Sequence, residues 1–150
     1  MGELQRISAI FIRLPDQSIL DLWNGTPQHR YDDPGITYNH DDLTSVLSAI
    51  MVEMIPNHIL TMDNTNAFSG DHPDHYGSAY FALEAAQNWN GLGSLQSYRG
   101  YSVTLDGRNL TTPQHDEKVR LMGLYGAGVG AGSDYDDWCW RQYSSSVSVR

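Results

Sequence analysis

Leu43, Val46, Leu47, Ile50, Met51, Met54 and Ile55 recur at i, i+3, i+4 and i+7, which predicts an amphipathic helix. Asp41 or Asp42 can cap its start, and Pro56-Asn57 ends it. Residues 58–63 (His-Ile-Leu-Thr-Met-Asp) follow as a short strand. Upstream, residues 7–14 (Ile-Ser-Ala-Ile-Phe-Ile-Arg-Leu) form a near-continuous apolar run that stops at Pro15-Asp16 and reads as a buried strand. The two strands and the helix predict a β-α-β unit with parallel strands. Residues 21–42, rich in Gly, Pro, Asn and Asp, predict a long surface loop, a class of segment that often carries function.

After a loop over 64–70, a second helix is predicted from about Pro73 to Trp89, with the proline in its first turn and Gly91 and Gly93 ending it. Residues 98–105 read as a strand closed by Asp106-Gly107. Thr112 as cap and Pro113 at the first position open a further helix, with Val119 and Met122, and with them Leu121 and Tyr125, as the candidates to face inward. Residues 123–132 are glycine-rich. They neither follow a strand nor open a βαβ unit, so the Gly126–Ala131 stretch reads as a flexible connection and not a dinucleotide loop. Residues 134–143 predict a short amphipathic helix, and residues 144–150 a polar tail that frays. The order of elements gives an α/β layered domain over residues 1–143 with a flexible tail over 144–150.

At 150 residues the chain is long enough for one domain with its own core. A net charge of −9 argues against nucleic acid and against an anionic membrane surface. A neutral, sugar-like or cationic small molecule fits better. The one cysteine, Cys139, allows no intrachain disulfide. No apolar run is long enough for a bilayer and the start has no signal-like h-region, so the expected location is cytoplasmic.

The chemistry concentrates in Asp71-His72-Pro73-Asp74-His75, placed where a polar loop meets an Ala-rich helix. His72 and His75 are three apart, a spacing that lets both rings point to one side of a helix. One imidazole can hold a metal while the other handles a proton. Ligands in parallel sheets bind beyond the carboxyl ends of strands. Asp63, Asp71, His72, Asp74 and His75 are therefore expected to converge there. Asp63 can point into the site to bind substrate, or it can form a turn. Arg13 can bind a substrate anion or hydroxyl, or pair with Asp16 or another carboxylate. Tyr135, Trp138, Trp140 and Tyr143 can form a sugar-stacking surface or pack as core, with Cys139 buried among them.

Together with Ile12-Arg13-Leu14-Pro15-Asp16, Leu60-Thr61-Met62-Asp63, Tyr98-Arg99-Gly100-Tyr101 and Trp138-Cys139-Trp140-Arg141-Gln142-Tyr143, this motif resembles the PIG-L/LmbE-like zinc-dependent N-acetylglucosaminyl deacetylases. The resemblance implies a three-layer Rossmann-like fold with a mostly parallel sheet. It also implies zinc-dependent hydrolysis of an N-acetyl group on an amino sugar or its conjugate. By that resemblance His75 is a zinc ligand. His72, protonated, stabilises the oxyanion or protonates the leaving amine, and Asp74 holds one of those rings in its working tautomer. The family's earlier His-Pro-Asp-Asp-type motif, which supplies a base and two further ligands, has no counterpart in these 150 residues. The chain thus resembles the C-terminal part of the family's domain, N-terminally incomplete. It is expected to be inactive, or nearly so, as an isolated chain. The alternative is a non-catalytic remnant of the same fold that binds a carbohydrate or a partner. A homo-oligomer or a complementing chain is the expected protein partner.

Overall fold

A computed structural model describes residues 8–65, 70–129 and 135–149. Its elements are α1 (Ile19–Trp23), β1 (Gln28–His29), β2 (Thr37–Tyr38), α2 (His40–Met54), β3 (His58–Met62), α3 (Pro73–Trp89), β4 (Gly93–Tyr98), α4 (Thr112–Val129), α5 (Asp136–Cys139) and β5 (Ser144–Val149). A 3-10 turn over Tyr101–Leu105 follows β4. β3 runs parallel to β4, with His58 opposite Ser94 and Met62 opposite Tyr98. β5 closes the other side of β4 antiparallel, with Tyr98 opposite Ser144. The sheet is therefore mixed, in the order β3-β4-β5. β3, α3 and β4 make the parallel crossover unit.

The helices form as their sequences require. Asn39 and Asp42 make a reciprocal capping box at the start of α2, so the cap lies before the two aspartates expected to supply it. Ile55, left-handed at φ 46°, ends that helix. His72 caps α3, Pro73 takes its first turn, and Asn90 closes it at φ 56°. Met51, Ala85, Ala86 and Leu95 form one buried cluster, with Leu47 and Ile59 packed against it. This places α2 and α3 on one face of the sheet. Leu22, Leu43 and Phe81 form a second cluster, which Ile12 and Leu14 flank. Burying Leu22 and Phe81 fully contributes about 2 kcal/mol each. α1 lies so close to α3 that a Cβ at Gly77 would sit 2.7 Å from the Ile19 carbonyl carbon.

Several expectations are corrected. Residues 8–14 are not a buried strand, and Ile10 and Phe11 are 61% and 72% exposed. Among the described residues β3 pairs with β4 alone, and residues 8–14 belong to no sheet. Ile12 and Leu14 join the helical cluster instead. Residue 7 lies outside the described residues. The stretch expected to be one long loop contains part of α1 and the β1–β2 pair. The strand expected over 98–105 ends at Tyr98, where the 3-10 turn soon begins. α4 continues to Val129, through glycines read as a flexible connection, while residues 130–134 lie outside the described residues. The tail expected to fray is strand β5 from Ser144 to Val149. Among the described residues, no helix is long and apolar enough to cross a membrane.

Candidate functional site

The start of α3 meets the carboxyl end of β4, and Asp71 joins them. Its Oδ1 accepts from the His72 amide (2.8 Å), the Tyr101 amide (3.2 Å) and His75 Nδ1 (2.6 Å). Its Oδ2 accepts from the Gly100 amide at 3.2 Å. The Asp71 side chain is only 4% exposed. Burial pushes this carboxyl up. The His72 amide, the His75 ring and the Tyr101 amide outweigh it and hold the group below the ordinary aspartate value. A Cβ at Gly100 would lie 2.6 Å from His75 Nδ1 and closer still to Asp71 Oδ2, so only glycine admits this approach.

An ionised carboxylate only accepts, so His75 Nδ1 carries a proton and Nε2 is the ring nitrogen left for a ligand. Nε2 makes no hydrogen bond among the described residues. The ring lines an open cleft of about 460 Å³ with Met62, Tyr101, Lys118, Trp138 and Arg141. Tyr101 contacts the His75 ring at 4.9 Å and stacks on Trp138 at 5.2 Å and 24°. The aromatic wall is thus continuous with the imidazole. Trp140, by contrast, stacks on buried His115 at 3.8 Å, and Cys139 is buried.

His72 stands 5.6 Å from His75, ring to ring. Its Nδ1 accepts from the Asp74 amide at 3.2 Å, which places its proton on Nε2, and that atom lies 3.6 Å from Asp16 Oδ1. The two oxygens of Asp74 accept from the Gln17 amide (2.7 Å) and the Ile19 amide (2.9 Å). The carboxylate bonded to an imidazole is therefore Asp71, and Asp74 ties the segment entering α1 to α3. Asp63 accepts from the Thr65 amide (2.9 Å) and lies 3.7 Å from Arg99, which is also held by Asp106 at 2.6 Å. Its geometry combines the turn with an ion pair. Arg13 bonds the Tyr31 hydroxyl (2.8 Å) and pairs with Asp32 (3.2 Å), not Asp16. The structure thus brings Asp71, His72, Asp74 and His75 together at one helix start, while Arg13 has partners elsewhere.

A catalytic zinc takes about three protein ligands. Among the described residues the donors that cluster are Asp16, His72 and Asp74, not His75. Both Asp74 oxygens already accept backbone amides, His72 Nδ1 caps the helix, and Asp16 is exposed. Around His75 no group of three donors converges among the described residues. The described residues do not by themselves fit zinc.

Sequence reasoning gave no individual role to Asp71, Gly100, Tyr101 or Lys118. One signal for Asp71 was present: an aspartate four residues before His75, within reach of one helical turn. No family model, curated protein or solved structure matches this chain.

Proposed function

We propose that the cleft binds an N-acetylated amino sugar or its conjugate, in a chain related to the PIG-L/LmbE-type deacetylases, and that these 150 residues do so without turning it over. The carrying observation is the Asp71–His75 pair, its carboxylate buried and its imidazole lining the cleft. Asp71 fixes the ring and its tautomer, so Nε2 faces the ligand as a ready acceptor. Tyr101 and Trp138 offer a flat apolar wall to the carbon face of a sugar ring. His72 is the second imidazole, the one the resemblance assigns to the leaving amine. On this reading β3, α3 and β4 belong to a three-layer Rossmann-like arrangement, with α2 and α3 as one helical layer. The family's zinc would polarise the amide and activate water. The donor count within the described residues favours binding over turnover. Further ligands would come from a complementing chain or a second copy.

The test is calorimetric titration with N-acetylglucosamine, with acetate release measured with and without added zinc. Binding that weakens in His75→Ala, with no acetate released, is the expected result. Robust release that disappears in His75→Ala would refute the inactive state, and failure to bind the sugar at all would sink the reading. Light scattering reports the partner: a clean monomer at high concentration excludes self-association.

A further inference from the structure

Lys118 is the only lysine in the chain, and it lies half-buried in the same cleft as His75. Its ammonium donates to the Arg141 carbonyl at 2.7 Å. That uses one of three donors. No carboxylate among the described residues pairs with it.

The carboxylates of its own helix and of the segments beside the cleft are engaged by other side chains. Glu117 is bonded by Arg120 at 2.7 Å, Asp137 by Arg141 at 2.8 Å and Asp106 by Arg99 at 2.6 Å. Asp116 and Asp136 both bond the His115 ring, each at 2.9 Å. Of the Lys and Arg side chains that line the cleft, Arg99 and Arg141 are paired with carboxylates, and Lys118 has no such partner among the described residues. Cys139 does not fill the role either. Burial pushes its thiol up, so it stays uncharged near neutral pH. Burial likewise pushes the Lys118 ammonium down, with no carboxylate pairing to oppose it. A protein of net charge −9 here keeps one cation partly dehydrated beside its aromatic wall, with no carboxylate among the described residues to match it. An anion entering the cleft would supply the missing partner, and charge-assisted bonds of this kind are among the stronger ones.

We infer that Lys118 forms an anion subsite of the cleft, so that its ligand is an amino sugar carrying a phosphate or a carboxylate. The sugar half of this statement rests on the reading above, and the anion half does not. The two are separable because only Lys118 and the chain's α-amine can react with an amine-acetylating reagent.

One measurement follows acetylation of Lys118 in the unmodified protein by mass spectrometry, with inorganic phosphate or acetate added. Protection by either ion, at constant ionic strength set with chloride, is expected. A second compares the binding of N-acetylglucosamine, its 6-phosphate and N-acetylmuramic acid. At least one anionic sugar should bind about tenfold more tightly than the neutral one. The phosphate and carboxylate arms tell the two anions apart. Lys118→Gln should remove that preference while leaving neutral-sugar binding in place, and Lys118→Arg should keep it. Protection by phosphate or acetate without binding of any sugar would uphold the subsite and reject the amino sugar. Equal affinity for all three sugars, a preference that survives in Lys118→Gln, or Lys118 acetylation indifferent to both ions would overturn the subsite.

Discussion

The two sides of the first turn of α3 carry the same pair of residue types and use them differently. On the cleft side, Asp71 bonds the His75 ring and leaves its far nitrogen toward open space. On the other side, Asp74 bonds two backbone amides and lies 3.9 Å from the His72 ring, whose near nitrogen is occupied as a helix cap. The two imidazoles therefore hold their protons on opposite nitrogens. Composition does not separate a chemically available histidine from a structural one. What separates them is which donors reach the neighbouring carboxylate first.

The largest effect expected from breaking this contrast is at Asp71. Asp71→Ala leaves the amides of His72, Gly100 and Tyr101 and the His75 ring without their acceptor, and should lower the urea unfolding free energy by about 3 kcal/mol. Acid should act through the same group. Its carboxyl is held below the ordinary value in the folded protein, so its contribution is complete above the unfolded value of about 4. The contribution is lost as pH falls through the lower folded value. The stability difference between wild type and Asp71→Asn should therefore shrink as pH is taken below about 4. An unchanged difference would show that the pair does not exist.

Gly100→Ala ranks next. The added carbon must displace Asp71 and His75, at a cost of about 2 kcal/mol by denaturation and with weaker ligand binding. Gly123 in α4 is the control, because a Cβ there meets nothing within 4 Å. Gly123→Ala should stabilise by about 0.5–1 kcal/mol.

Asp74→Ala should cost about 1 kcal/mol through the Gln17 and Ile19 amides while leaving ligand affinity intact. The smallest expected loss, about 0.5–1 kcal/mol, is for His72→Ala, which removes a cap. If Asp74→Ala abolished binding while Asp71→Ala did not, the two sides would have to exchange roles.

What the sequence disclosed depended on how local each determinant is. α2 was legible because six apolar positions, Leu43 to Met54, share one face, and α3 and α4 because Pro73 and Pro113 mark their starts. β3 was legible from its bounding residues. The run over 8–14 misled because apolar β-branched composition marks burial as well as strand, and Ile12 and Leu14 are packed against the helical cluster instead of joining the sheet. β5 was missed for the converse reason. A serine-rich segment has little apolar signal, and its backbone pairs with β4 regardless. The site divides in the same way. The His-bearing motif is continuous in the chain and was visible, whereas the Asp71 contacts to Gly100 and Tyr101 reach across about thirty residues. No local pattern encodes them.

That long-range stitch joins the front of α3 to the far end of β4, so helix and strand form one closed circuit. The amide protons of Gly100 and Tyr101 belong to a turn, yet they can exchange with solvent only when the start of the helix releases them. In deuterium they should keep time with the first turn of α3 and not with the residues that follow them in the 3-10 turn.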